Sequence, residues 1–248
     1  MPEPLINQPL TSSSTLVVVL VAFLALAAIE LFALYLHVAG FKALEIGLLV
    51  VVPLFVYLTA LPGVAGALQN IPRLVDIPLF RFDNVTLGVN LIGFFIPVII
   101  SANMLLHKRI PWRQTALIVL IISAVTYLYT RFEPQQGIVI YYFAVPPILA
   151  AGIAFMLKKM RGGYFNPALV SYSGATFGIL IGADILNIYQ ALTHQWNDDT
   201  FISIGGGSVL DAVFLAGVVA LGADIVFRSQ EENIFGDLVK MLFGNKKA

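Results

Sequence analysis

The residues of this chain that are best suited to chemistry are two aspartates in strongly apolar surroundings. Asp184 follows a run of small and aliphatic residues, and Asp211 follows a run of glycines. An acidic side chain at the centre of a membrane helix costs about 2.5–3.5 kcal/mol on insertion scales, so its retention indicates a role. Neither aspartate has a basic residue within its own apolar segment. Such carboxylates are suited to binding a cation or to exchanging protons.

Other polar side chains are expected in the same outer half of the membrane. Counted from the outer ends of their segments at the rise of an α-helix, Asp184 lies roughly 12 Å deep, Asn90 roughly 8 Å and Asp211 roughly 6 Å. Asn187 follows Asp184 by three residues, on the same helix face. We therefore predict one ion- or substrate-binding layer in the outer half of a membrane. Its predicted members are Asp184, Asp211, Asn90, Asn187, Ser208 and, from the outer loop, Asn70.

Some acids in the apolar segments also have a structural interpretation. Ser208 has the character of a helix N-cap, and Asp211 stands at the third position beyond it, which is the spacing of a capping box. Asp224 precedes Arg228 by one turn and is predicted to form an interfacial ion pair. Glu30 has two readings, a proton-carrying group or a protonated carboxyl that is hydrogen-bonded to a neighbouring helix.

Prolines and glycines are predicted to break helices close to this layer. Prolines free backbone carbonyls that side chains, water or ions must satisfy. Broken helices around polar groups are typical of transporter sites. The predicted helix-breaking residues are Pro97, Pro146, Pro147, Gly205, Gly206 and Gly207, with Pro146 and Pro147 interrupting a helix at mid-membrane depth. In contrast, the ridge Gly174, Gly178 and Gly182 is predicted to let a neighbouring helix approach closely.

The composition requires a membrane as the setting for these residues. Of the 248 residues, 59% are hydrophobic and 11% are charged, against about 25% charged in a soluble domain. This excludes a soluble globular enzyme and a basic nucleic-acid-binding domain. The absence of cysteine excludes a disulfide scaffold.

The hydropathy pattern predicts an all-α fold, a polytopic bundle of about seven transmembrane helices with broken helices and no strands. The predicted spans are residues 15–39, 44–61, 85–106, 114–129, 137–157, 168–192 and 207–227. Residues 61–82 hold three prolines and are predicted to form an outer re-entrant or interfacial segment. Residues 1–228 are predicted to be one transmembrane domain, and residues 229–248 an amphipathic cytoplasmic tail.

The basic residues fix the expected orientation of these spans. Eleven of the 14 lie in loops or a tail on one side, and the other three are Arg73, Arg81 and Arg131. The positive-inside rule then places the N-terminus outside and the C-terminus in the cytoplasm, as in a multi-pass protein of the cell membrane.

Five strings of residues, taken together and in order, resemble a known family. They are Gln-Asn-Ile-Pro at 69–72, the segment 88–97, Ala-Val-Pro-Pro at 144–147, the segment 166–187 and the glycine-rich segment 205–217. The chain resembles the domain of unknown function 1614 family of prokaryotic polytopic membrane proteins over roughly residues 44–220. Gly-Gly-Gly-Ser stands where the family pattern is Gly-Gly-Ala-Gly. The resemblance implies a prokaryotic membrane protein and carries no established activity.

Three functions are compatible with the sequence. We favour ion- or proton-coupled transport of a small solute or cation, with the lipid bilayer and a proton or monovalent cation as partners. The second is an intramembrane aspartyl protease of the presenilin type, with Asp184 and Asp211 as its catalytic pair, although its glycine spacing and the order of its motifs do not match. The third is a non-enzymatic membrane scaffold. We expect no cofactor, no metal and no nucleic acid, because histidines are scattered and cysteine is absent.

Overall fold

The computed structural model describes residues 12–59, 76–133, 137–162, 165–196, 198–206 and 212–229, and these residues are mostly helical. The helices are α1 (Ser12–Val38), α2 (Ala43–Thr59), α3 (Leu91–Leu106), α4 (Trp112–Tyr129), α5 (Val145–Met160), α6 (Pro167–Thr193) and α7 (Ala212–Ser229). The strands are β1 (Asp76–Phe82), β2 (Val85–Asn90), β3 (Thr130–Glu133), β4 (Gly137–Ile140) and β5 (Thr200–Ile204). Each of the seven predicted spans overlaps one of these seven helices.

The prediction of a chain without strands is wrong. β1 pairs with β2 in antiparallel orientation, β5 pairs with β2 in parallel, and β3 and β4 form a separate hairpin. The third predicted span begins in β2 and the fifth begins in β4, because a short apolar run looks the same at the start of a helix as in a strand. The end of the predicted re-entrant segment, 76–82, is the largely exposed strand β1. Residues 60–75 lie outside the described part of the chain.

The turns between helices and the strands lie at opposite ends of the bundle. At one end, Asn166 Nδ2 donates to the Ala39 carbonyl at 2.7 Å, and Arg109 Nη2 donates to the Gly40 carbonyl at 2.6 Å. These bonds join the α1–α2 turn to the end of α3 and the start of α6. We call this the loop end, and we call the end that holds β1 to β5 the strand end. The helices from α3 to α6 therefore run alternately from one end to the other.

The helix α6 lies at the centre of the bundle and packs against α3, α4, α5 and α7. Its ridge of small residues faces α4, where Cβ atoms added at Gly174 and Gly178 would overlap Ile118 and Ile122. The prediction that this ridge lets a neighbouring helix approach closely is confirmed. Close approach of the two backbones fixes the position of the part of α6 that contains Gly174 and Gly178.

Two helices, α4 and α6, are long and apolar enough to cross a membrane by length and composition. Shorter apolar helices cover Phe23–Val38, Ala43–Val56, Leu91–Leu106 and Gly217–Phe227. The apolar window of α6 is 72% buried, whereas that of α4 is 28% buried. The outer face of α4 thus exposes large apolar side chains, including Leu120 and Leu128. Contiguous exposed apolar surface of this kind is typical of contact with lipid or with another protein.

Candidate functional site

Asp184 lies where the central helix α6 changes its winding. The segment Pro167–Ile179 is α-helical, Leu180–Ile185 is π-helical, and Leu186–Thr193 is α-helical again. A π-helical turn inside an α-helix is rare and is frequent at functional sites. The Asp184 Oδ2 atom accepts the backbone N–H of Gly205 at 2.8 Å. The Asp184 side chain therefore points away from its own helix, and its carboxylate is hydrogen-bonded to the residue that follows β5.

Gly205 connects Asp184 to the first turn of α3. Its φ is +82°, a left-handed conformation that favours glycine. A Cβ atom added here would meet the Phe94 nitrogen at 2.7 Å and the Gly93 carbonyl carbon at 2.8 Å. Because no larger residue fits, this glycine allows β5 to lie directly on α3. The Asp184 carboxylate is thereby held beside the start of α3.

The start of α3 is a second π-helical turn, Leu91–Phe95, and Asn90 caps it. Asn90 Oδ1 accepts the N–H groups of Ile92 and Gly93, both at 2.9 Å. Pro97 lies just beyond this turn, at the first positions of the α-helical part. Since proline has no N–H, it cannot donate to the carbonyl four residues earlier, and a wider turn at this point is physically reasonable.

Asp76, on β1, is a second carboxylate at this position, and the sequence reasoning missed it. Its Oδ1 atom accepts Asn90 Nδ2 at 2.9 Å and the Ser203 hydroxyl at 2.6 Å. The β1–β2 register places Asp76 opposite Asn90. A signal was present in the sequence, because Asp76 is the one acidic residue in the apolar segment 61–82.

We call Asp76, Asn90, Asp184, Ser203 and Gly205 the strand-end site. Asn90 is fully buried, whereas both aspartates are partly exposed. Ser203 binds one carboxylate and Gly205 binds the other, so two acidic groups are held by residues only two positions apart in β5 and the turn that follows. Two carboxylates fixed by neutral donors form a locally negative site that can bind a cation or accept a proton.

Two of the predicted residues stabilise the local backbone conformation. Asn187 Nδ2 donates to the carbonyls of Gly182 and Ala183, at 3.0 and 2.9 Å, within the π-helical turn. Its amide group thus stabilises the turn that carries Asp184. Gly206 has the same φ as Gly205, +82°, and forms the turn after β5.

The prediction that Pro146 and Pro147 interrupt a helix at mid-membrane depth is wrong. Both are buried in the first turn of α5, which begins at Val145. Proline is well tolerated there because the first N–H groups of a helix have no intrahelical acceptor. Residues 137–144, which the prediction joined to the helix, form β4 and a turn instead.

Four predicted site residues, Asn70, Gly207, Ser208 and Asp211, lie outside the described residues, as does the predicted tail from residue 230 onwards. The pairing of Asp184 with Asp211 therefore stays a prediction.

Two other acids of the apolar helices occupy different environments. Glu30 is exposed on α1. Asp224, on α7, is fully buried, and the Tyr35 hydroxyl donates to its Oδ2 atom at 3.4 Å and to the Leu221 carbonyl at 2.8 Å. Asp224 thus faces α1 inside the bundle, and its pairing with Arg228 stays a prediction. The side chain of Arg228 is outside the described part.

A buried ion pair at the loop end is a further charged feature that the sequence reasoning did not single out. Glu45, at the start of α2, is 3% exposed and pairs with Arg109. Its carboxylate also accepts the Lys42 N–H at 2.8 Å and Asn103 Nδ2 at 3.0 Å. We call Glu45 and Arg109 the loop-end ion pair, and Asn103 supports it. It joins α2 to the end of α3.

Replacing Asn90 by alanine is expected to lower the free energy of unfolding by about 1–2 kcal/mol, because two N–H groups lose their cap. The change also removes one of the two donors to Asp76. The measurement is denaturant unfolding of the purified protein in mild detergent. Gln190→Ala, at an exposed position of α6, is the control. Equal stability of the two variants would show that the cap is dispensable.

The chain was compared with known proteins. No match was found among curated proteins or among solved structures. Residues 46–222 match the family described as "Protein of unknown function (DUF1614)". That match covers most of the chain and includes every residue of the strand-end site. The chain therefore belongs to the DUF1614 family.

Proposed function

We propose that the protein crosses a prokaryotic cell membrane with all seven helices, with the N-terminus outside and the C-terminus in the cytoplasm. The apolar outer faces of the helices support this, since lipid is the surrounding that such faces fit. The alternation of the helices supports it as well, because it collects basic residues at the loop end. These residues are Lys42, Lys108, Arg109, Arg113, Lys158, Lys159 and Arg161. The positive-inside rule makes the loop end cytoplasmic.

Within this arrangement, the function that the geometry supports best is ion- or proton-coupled transport of a small solute or cation. The observation that carries the proposal is the position of Asp184, in a π-helical turn of the central helix and bound to the end of β5. The strand-end site combines this carboxylate with a second interrupted helix, α3, and with a second carboxylate, Asp76. Interrupted helices around acidic groups are the arrangement that transporters use for coupling ions.

A proton or a monovalent cation suits this site better than a transition metal. Within the described ranges, no three His, Cys, Asp or Glu side chains come together as metal ligands. Asn90 Oδ1 already accepts two N–H groups, so its lone pairs are used by the backbone. The carboxylate oxygens of Asp76 and Asp184 are the acidic groups of the site, and they are suited to taking a proton or a weakly bound cation.

The test is flux into proteoliposomes under imposed proton or sodium gradients. Asp184→Asn is expected to lower coupled flux by about 10- to 100-fold, because an amide can neither take up a proton nor supply the charge that binds a cation, and an interaction with a charged group is worth about 1.5–3 kcal/mol. The matched control is Asp199→Asn, since Asp199 is exposed and pairs with Arg81.

Other outcomes point to the other functions. Flux that is unchanged in Asp184→Asn contradicts the transport proposal. A lower melting temperature without any flux in the wild-type protein would indicate a scaffold. Cleavage of a membrane-helix substrate that is lost in both Asp184→Asn and Asp211→Asn would indicate a protease.

A further inference from the structure

We propose that the buried hydroxyl groups of Ser101, Tyr172 and Thr176 form, together with internal water, a proton path between the strand-end site and the loop-end ion pair. This inference rests on the proposed transport function and specifies the proton as the coupling ion. We call these three residues the hydroxyl cluster. The argument depends on their burial, their common level in the bundle and the charged groups at either end.

The three hydroxyl groups are buried without conventional hydrogen bonds. Ser101 and Thr176 are 0% exposed and Tyr172 is 1% exposed. Among the described residues, none of the three oxygens has a hydrogen-bond partner of ordinary geometry. A buried hydroxyl without a partner is costly, and internal water is the usual partner where protein groups do not serve.

Other hydroxyls of this bundle follow the usual pattern of membrane helices. Thr115 and Thr130 donate to the carbonyl four residues earlier, at 2.9 and 2.7 Å, and Ser123 bonds to Val119 in the same way. This back-bonding is the normal way in which serine and threonine are satisfied within an apolar helix. Ser101 and Thr176 do not use it. Their hydroxyls can therefore bond to a group outside their own helix, such as internal water.

The antiparallel packing of α3 and α6 brings the cluster to one level. Ser173 Oγ lies 3.6 Å from Met104 Sδ, which fixes the register of the two helices. Ser101 lies three residues before Met104, and Thr176 lies three residues after Ser173, so both are displaced by one turn towards the strand end. Tyr172 precedes Thr176 by one turn, so the two side chains lie on the same face of α6.

Towards the loop end, the cluster approaches the loop-end ion pair. The Tyr172 ring packs edge-on against Phe41, with ring centroids 5.3 Å apart. Phe41 directly precedes Lys42, whose backbone N–H donates to the Glu45 carboxylate. The Glu45 carboxylate already accepts hydrogen bonds from Arg109, Lys42 and Asn103, so it marks the loop-end limit of the path and is not itself the proton acceptor.

Towards the strand end, the path must cover the distance from Thr176 to Asp184. Eight residues of helix separate them, roughly 12 Å. Thr126 lies between, against Gly182, where an added Cβ would meet its Cβ at 2.8 Å. The Thr126 hydroxyl is likewise buried without a hydrogen bond among the described residues. Thr126 faces α6 from α4, on a different side from the contact of Ser173 with α3, so water alone must span this interval.

The chemistry of the path is a series of proton transfers without net change of the hydroxyls. The protonated Asp184 carboxyl gives a proton to the first water, and each oxygen along the path accepts one proton while it releases another. The last water gives a proton to the cytoplasmic solvent beside the loop-end ion pair. A hydroxyl both donates and accepts, which this series requires at every link.

The experiment measures proton flux in proteoliposomes with an internal pH-sensitive dye, driven by a potassium diffusion potential. Tyr172→Phe and Thr176→Val are expected to lower proton flux by about tenfold or more, since each removes a link of the hydrogen-bonded path. Ser171→Ala is the matched control. Ser171 is adjacent to Tyr172 and equally buried, but its hydroxyl bonds to the Ala168 carbonyl at 3.0 Å. Thr176→Ser keeps a hydroxyl and is expected to restore most of the flux.

The possible results separate this inference from the transport proposal. Proton flux at the wild-type level in Tyr172→Phe and Thr176→Val overturns the proton path. Sodium-driven transport in the wild-type protein without proton flux also overturns it, while the transport function stands. Absence of any flux in the wild-type protein overturns both. If Tyr172→Phe does not fold, the comparison of Thr176→Val with Thr176→Ser decides, with the melting temperature of each variant as a check.

Discussion

Replacing Arg109 by methionine is expected to lower the free energy of unfolding by about 3–5 kcal/mol, because it leaves the charge of Glu45 buried without its partner. The side chains of Glu45 and Arg109 are only 5% and 16% exposed. Two neutral donors, the Lys42 N–H and Asn103 Nδ2, would remain. The loss also breaks the bond from Arg109 to the Gly40 carbonyl, which joins α3 to the α1–α2 turn. Denaturant unfolding in mild detergent measures the change.

The chain offers a matched control for this prediction. Arg81 and Asp199 form an ion pair at 2.7 Å, but their side chains are 59% and 72% exposed. Because exposed pairs contribute about 0–1 kcal/mol, Arg81→Met is expected to have little effect. The double variant Glu45→Gln with Arg109→Met removes both charges and is expected to be more stable than Arg109→Met alone. If Arg109→Met and Arg81→Met lower the free energy of unfolding equally, the loop-end ion pair does not stabilise the fold as expected.

Replacing Gly182 by alanine is expected to cost at least the upper part of the roughly 1–3 kcal/mol range for overpacking. The new Cβ would overlap the Ser123 carbonyl oxygen and would lie 2.8 Å from Thr126 Cβ and 3.0 Å from Ser123 Cα. These are largely backbone atoms, so α4 as a whole must move away from α6. The substitution also lies in the π-helical turn that carries Asp184, so coupled flux is expected to fall together with stability.

Gly222→Ala provides the comparison for Gly182→Ala. A Cβ at Gly222 meets nothing within 4 Å, and alanine is the better helix former by up to about 1 kcal/mol. We expect Gly222→Ala to be neutral or stabilising in a thermal-unfolding experiment in detergent. If both variants melt at the wild-type temperature, close packing of α4 on α6 is not what holds the site.

The helices of this fold could be predicted from the sequence because apolar length is a strong signal. The strands could not, because β2 and β4 are short apolar runs directly before helices and look like their first turns. The pairing of β2 with β5 joins segments that are distant in the chain. No local sequence pattern indicates a pairing between distant segments, so the sheet at the strand end could be identified only from the structure.

The candidate site was predicted in part. Asp184 stands out in the sequence because a carboxylate in an apolar segment is costly. Asn90 and Asn187 stand out as polar groups, but a sequence does not distinguish an amide that binds a ligand from one that bonds to backbone, as both do here. Glu45 was missed because it lies at the edge of an apolar segment, and Asp76 because its position opposite Asn90 depends on the pairing of β1 with β2, which was not predicted.

The parallel pairing of β2 with β5 has a consequence for the order in which the protein is made. Val85 pairs with Thr200 and Val89 with Ile204, so the chain must be synthesised almost to its last helix before the two strands meet. During synthesis, Asp76 and Asn90 leave the ribosome long before Ser203 and Gly205. The helices α1 to α6 can form and pack before that point. The strand-end site is therefore completed last, and a nascent chain that stalls before residue 203 carries both aspartates without a finished site.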